Sequence, residues 1–157
     1  MLRELVGPQL GQSLVSVSPE TKVDAVSKLM ADRDVGCVLV VDAKNVIHGI
    51  VTDRDIVLRC VARNINVHEC PVSQVATPAP KTVREDAGVF DVIRTMEKAG
   101  VRRIPVVDAK NHPIGIFSFG DLLAILGKEF YAVTRHTTAA GRFDQILGEK
   151  GAGKAAA

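Results

Sequence analysis

The chain has 157 residues, 46% apolar and 24% charged, with a formal net charge of +2, an ordinary composition for a globular protein. With no long apolar run, no clustered basic block, no Trp and a single Tyr, it is expected neither to cross a membrane nor to bind nucleic acid. The opening "MLRELVGPQL" is too short and too interrupted for a secretory signal, so the expected location is the cytoplasm.

Taken in chain order, a short strand precedes "SPETKVDAVSKLMADRD", a helix with Ser18 as N-cap, Pro19 at its first position and Val23, Val26, Leu29 and Met30 on one face. "CVLVVD" is a β-branched strand covered on both faces, "AKN" breaks it, and "VIHGIV" returns as the second arm of a hairpin. From Thr52 a second helix is expected to carry Ile56, Val57, Leu58 and Val61 on its apolar side. "NINVHECPVSQVATPAPK", with three prolines, reads as a connector. "EDAGVFDVIRTMEKAG" is the next helix, with Gly100 as its C-terminal cap. "RIPVVD" and "PIGIFS" are strands, and Pro105 and Pro113 place free or edge positions near their starts. "GDLLAILGKEFYAV" closes the series as a helix. Beyond it, "FDQILG" has Phe143, Ile146 and Leu147 at helical spacing, and "GEKGAGKAAA" is expected to fray.

The second half restates the first. A gapless shift of 66 positions lays Val17 on Val83, Val23 on Val89, Val26 on Val92, Met30 on Met96 and Val35 on Val101. It lays one "VVDAKN" on the other and Asp55 on Asp121. The expected fold is therefore α+β: two β-α-β-β-α halves at 8–63 and 81–133, a connector at 64–80 and a partly disordered tail at 134–157.

Catalytic machinery is not expected. His48, His68, His112 and His136 are scattered, and no nucleophile, phosphate-loop or zinc-protease motif occurs. Three cysteines without a CxxC pair argue against a metal centre or a disulfide framework, and the neighbours His68, Glu69 and Cys70 lack a distant partner motif. Cys37, inside an apolar run, reads as a small buried hydrophobe.

What remains is "GIVTDRDI" and its repeat "GIFSFGDL". Thr52-x-x-Asp55 and Ser118-x-x-Asp121 have the spacing of a capping box, with the hydroxyl at the N-cap and the acid at N3. That reading leaves out Gly49 and Gly115, which weaken strands and mark close approach of something to the backbone. A second reading makes each copy a nucleotide site. A helix start with a hydroxyl suits phosphate, an Asp can take two ribose hydroxyls, and Ile50, Ile104 and Ile116 can flank a purine.

The tandem "VGCVLVVDAKNVIHGIVTDRDIV" and "VRRIPVVDAKNHPIGIFSFGDLL" resembles a CBS-domain pair (Bateman module), most closely stand-alone bacterial tandem proteins, over roughly residues 8–130. The resemblance implies two repeats packed as one pseudo-twofold module that dimerises and binds adenosine ligands: AMP, ADP, ATP, NAD(H) or S-adenosylmethionine. It implies a ribose role for Asp55 and Asp121 and a phosphate role for Thr52 and Ser118. Arg54 lies within the first motif, and Gly49, Ile50, Ile104, Pro105, Gly115 and Ile116 flank the clefts. Arg103 is implied as a phosphate contact, whereas the adjacent Arg102 reads equally as a solvated loop residue. Gly36 and Cys37 stand at the positions of Arg102 and Arg103 in the first repeat, and Leu39 stands where the second has Pro105. The second copy is therefore the expected place of occupancy. The implied function is a regulatory module with no required cofactor and AMP as the expected ligand, signalling as a homodimer to an unidentified protein. The alternative is a dimerisation or docking module that needs no ligand.

Overall fold

The computed structural model describes residues 14–135. The segment with helical spacing at 143–147 and the end expected to fray lie outside the described residues. Two compact units are distinguished, Met1–Ser118 and Phe119–Ala157.

Within the first unit, the β-branched runs of the first repeat form a four-stranded sheet. Strands β1 (Ser16–Val17), β2 (Cys37–Val41), β3 (Ile47–Thr52) and β4 (Thr77–Pro78) lie in the order β1-β2-β3-β4. β1 runs parallel to β2, and the other pairings are antiparallel. The second repeat forms a three-stranded sheet of β5 (Val83–Arg84), β6 (Arg103–Val107) and β7 (Pro113–Ser118), with β5 parallel to β6. The duplication is visible in detail. The hairpin register shifts between Val40 and Val41 in one sheet and between Val106 and Val107 in the other.

The identical "VVDAKN" runs form hairpin turns. Asp42 accepts the backbone N–H groups of Lys44 and Val46, and Asp108 accepts those of Lys110 and His112. Asn45 and Asn111 take the left-handed backbone conformation, at φ 60° and 64°, which Asn tolerates better than most residues. Pro113 opens the edge strand β7, in line with the expectation. Pro105 lies in the central strand β6, opposite Ile116, one residue before the pairing with β5 begins at Val106. Its missing N–H therefore interrupts no bond to β5.

Helices α1 (Val23–Arg33) and α3 (Val89–Ala99) follow the first strand of each repeat. Both begin later than the sequence pattern suggests. Ser18 and Pro19 belong to a turn closed by Thr21 N–H on Ser18 C=O, and α1 starts after Lys22 without a side-chain cap. Its first free N–H groups are instead taken by the connector: Val23 donates to Cys70 C=O and Asp24 to Val67 C=O. Long-range partners thus replace the local cap. Residues 85–88 likewise precede α3, whose N-cap is Gly88. At the other end, Gly100 caps α3 at φ 64°, and the corresponding Asp34 caps α1 at φ 51°. Each cap returns two N–H bonds to the last turn, from Asp34 and Val35 in α1 and from Gly100 and Val101 in α3.

Helix α2 (Asp53–Arg59) is shorter than expected. Of the four residues assigned to its apolar side only Ile56 is buried, while Val57, Leu58 and Val61 are about half exposed, at 53%, 48% and 55%. Cys60 ends the helix, and a tight turn follows at Val61–Arg63. The core lies mainly beneath α1, where Val23, Val26, Met30, Val38, Val40, Val51 and Ile56 pack with Val72 and Val75 of the connector. Leu39 and Cys37 of the first sheet also pack with Ile116 of the second. Burial of each such side chain contributes about 1.5–3 kcal/mol, so this seam joins the two repeats through their strands.

In the second unit, α4 (Phe119–Arg135) is described by itself. Leu122 is buried, and Phe119, Leu123, Leu126, Phe130 and Val133 are exposed. No helix among the described residues is long and apolar enough to cross a membrane.

Candidate functional site

β3 ends at Thr52 and α2 begins at once, which fixes Thr52 as the N-cap in extended conformation, at φ −112° and ψ 161°. The Thr52 hydroxyl accepts the Asp55 N–H at 3.1 Å and donates to Asp55 Oδ2 at 2.8 Å. Thr52 N–H donates to the same oxygen at 2.9 Å. The capping box read from the sequence is therefore closed. Arg59, one turn further on, places its Nη2 3.0 Å from Asp55 Oδ1.

Thr52 and Asp55 line one side of a cavity of about 490 Å³, with Ile50, Asp53 and Arg54. The connector supplies a second wall, from Thr77 to Lys81, and the third comes from Ala99, Val101, Arg102 and Arg103. Sequence proximity suggests that the Arg pair serves the second copy, "GIFSFGDL". In space both arginines line the cavity of the first copy, with Thr52 and Asp55. Gly36 makes this reach feasible. A Cβ there would stand 3.1 Å from the Arg103 guanidinium and 3.6 Å from Asp53 Oδ2. The absence of a side chain at 36, which looks like a lost contact in the first repeat, makes room for a cation lent by the second.

Four cationic side chains, Arg54, Lys81, Arg102 and Arg103, face two carboxylates, Asp53 and Asp55. The balance favours an anionic occupant. Next to this cluster, burial pushes the Cys37 thiol up, while the Arg103 guanidinium opposes the shift and Asp53 adds to it. A neutral buried thiol there is packing, not chemistry.

The other expected residues have different surroundings. Gly49 does mark a close approach, but what approaches is the connector. A Cβ on Gly49 would meet Thr77 C=O at 3.1 Å and Ala76 Cβ at 3.2 Å. Ile104, Pro105, Gly115 and Ile116 are buried in the second sheet. Ser118 ends β7 in register with Arg103, and Asp121 lies in the first turn of α4, in the other unit. Asp53, Lys81 and the connector wall are additions that the motif reading missed. The prolines around Thr77 gave no clue to which element they would face. Arg59 was missed as well, although its i,i+4 spacing from Asp55 is a signal that could have found it.

A wider hollow of about 660 Å³ lies between residues 16–20, Val41–Ala43 and His48. Its ionisable lining includes Glu20, Asp42 and His48, with His48 Nε2 already 3.1 Å from Asp42, so it does not suit an anion. His68 pairs with Asp24 at 3.1 Å and Cys70 is buried. Among the described residues no cluster of His, Cys, Asp and Glu can hold a metal ion.

Two parallel-then-antiparallel sheets, a repeated β-α-β-β-α order and a cleft at a strand-to-helix turn define a tandem α+β architecture. The CBS domain model matches residues 9–61 and 72–128. The chain belongs to the CBS domain family and carries two CBS repeats. An uncharacterized protein of Methanopyrus kandleri is 32% identical over 121 residues, 76% of this chain, and the chain spans 61% of that protein's length. A solved CBS-domain protein from Burkholderia ambifaria MC40-6 superposes with a TM-score of 0.72 at 27% identity, covering 87% of this chain and 98% of that one. CBSX2, solved in complex with AMP, superposes with a TM-score of 0.65 at 28% identity, covering 78% of this chain and 96% of that one.

Proposed function

We propose that this chain is a regulatory module that binds a phosphorylated adenosine nucleotide, AMP first among them, in the cavity of the first repeat. One observation carries the reading: Arg102 and Arg103 of the second repeat line the same cavity as Thr52 and Asp55 of the first. Its volume falls within the range of small-molecule sites. In this reading the guanidinium groups take the phosphate, Asp55 the ribose and Ile50 one face of the base. Thr52, whose hydroxyl serves the cap, acts by holding Asp55. Likeness to a CBS protein in complex with AMP supports the adenosine moiety. The four-to-two excess of cations supports phosphate over a sulfonium. Occupancy is then read by a partner protein through the state it favours. The module acts as a homodimer in the cytoplasm, without catalysis of its own.

Calorimetric titration with AMP, ADP, ATP, NAD and S-adenosylmethionine tests this. The expected result is one phosphorylated nucleotide per chain, with S-adenosylmethionine weaker. Arg103→Gln should weaken AMP binding by tenfold or more, since bonds to charged groups contribute about 1.5–3 kcal/mol. The reading fails if no adenosine ligand binds at millimolar concentration, or if Arg103→Gln and Asp55→Ala bind AMP like the parent.

A second reading, a dimerisation or docking module with no required ligand, is favoured by the capping box, which closes without one. Titration separates the two directly.

A further inference from the structure

Three donors converge on the Asp55 carboxylate: Thr52 N–H, the Thr52 hydroxyl and Arg59. A carboxylate offers about four acceptor positions. A vicinal diol brings two more donors, so five would compete for four places. One protein donor must give way. The two Thr52 bonds are local and form the helix cap. Arg59 is the donor with somewhere else to go, because its Nη1 already donates to Val75 C=O at 2.8 Å and to Thr77 Oγ1 at 3.1 Å. Val75 is buried, and Thr77 begins β4 opposite Ile50 on β3. The same guanidinium therefore grips both the carboxylate and the connector that walls the cavity.

We propose that Arg59 is the positioning residue that couples the hydrogen-bonding state of Asp55 to the connector at 75–79. When Asp55 is engaged by a diol, Arg59 shifts its hold toward Val75 and Thr77. When Asp55 is empty, the grip is shared. Occupancy of the cleft thereby becomes a change in the connector between the repeats, a signal that a partner can read. The use of the coupling by a nucleotide rests on the function proposed above, whereas the coupling itself does not.

Hydrogen–deuterium exchange of the full chain tests both levels. Without ligand, Asp55→Asn removes the charge that shares Arg59, and exchange at 76–79 should change by about tenfold, the scale of one charge-assisted bond. On an Arg59→Lys background, where the fork to Val75 and Thr77 is lost, Asp55→Asn should have no further effect there. A connector indifferent to Asp55→Asn, or an equal response in both backgrounds, overturns the coupling. With AMP, the parent should show altered exchange at 76–79. Arg59→Lys should bind more weakly and show no connector response at saturation. A merely structural Arg59 would lower stability in both states and leave that response in place, which also overturns the proposal. Failure of AMP to bind the parent while the ligand-free coupling persists sinks the nucleotide reading alone.

Discussion

Gly36 and Gly49 occupy the same repeat and would meet an added Cβ at the same distance, 3.1 Å, yet their substitutions should differ in cost. At Gly36 the neighbour is the tip of the Arg103 side chain, which can swing aside. At Gly49 it is the Thr77 carbonyl, with Ala76 Cβ at 3.2 Å, and backbone paired to β3 cannot retreat without losing its register. Gly49→Ala is therefore expected to destabilise by about 1–3 kcal/mol, the usual cost of overpacking, and Gly36→Ala by well under 1 kcal/mol. Urea unfolding midpoints of the two variants check this, and equal losses would refute the distinction between side-chain and backbone neighbours. The glycines also show where reading a sequence stops. That something lies close to Gly49 was legible in its place within a strand. That it is the connector depends on contacts more than twenty-five residues apart, which no local pattern encodes.

At the scale of elements, the turns and the Thr52 start of α2 were legible, and the starts of α1 and α3 were not. Asp and Asn at fixed places in a repeated "VVDAKN" specify a hairpin through their own backbone bonds, a local mechanism. Helix α1 ignores a plausible Ser18–Pro19 start because Cys70 and Val67 carbonyls satisfy its first donors, a solution invisible until the connector is placed. The exposed Val57, Leu58 and Val61 of the α2 segment fail the same way, since helical spacing shows a stripe but not what covers it. The hairpins make a pH prediction. The Val46 N–H, with His48 and the Lys44 N–H, holds the Asp42 carboxyl below its ordinary value of 3.8. The His112 N–H, with the Lys110 N–H, does the same for Asp108. A carboxyl lowered by folding stabilises the protein above its unfolded pKa and loses that contribution as pH falls through the lower folded value. Stability should therefore decline as pH falls below about 4, and the double variant Asp42→Asn/Asp108→Asn should show a flatter decline over that range. Chemical denaturation between pH 7 and pH 2.5 measures it. A double variant that tracks the parent throughout would remove these turns from the acid response.

For the whole molecule, the central question is how many copies act together. A net charge of +2 on 157 residues gives little long-range repulsion between copies. On α4, Phe119, Leu123, Leu126, Phe130 and Val133 are all about half exposed or more, and they recur at alternating intervals of four and three residues. That interval keeps apolar side chains on one seam and suits a second helix of the same kind, as in paired coiled-coil helices. A seam of identical residues is self-complementary about a twofold axis, so a second copy of this chain is the simplest partner. We expect light scattering to give twice the 16.8 kDa chain mass at micromolar concentration. Leu126→Glu/Phe130→Glu should give the single-chain mass with its far-ultraviolet dichroism retained, because both side chains already face outward and like charges across the seam repel. A parent that stays monomeric at 100-fold higher concentration contradicts the homodimer. A charged variant that still dimerises moves the interface to another face, with the exposed Val57, Leu58 and Val61 next to be substituted.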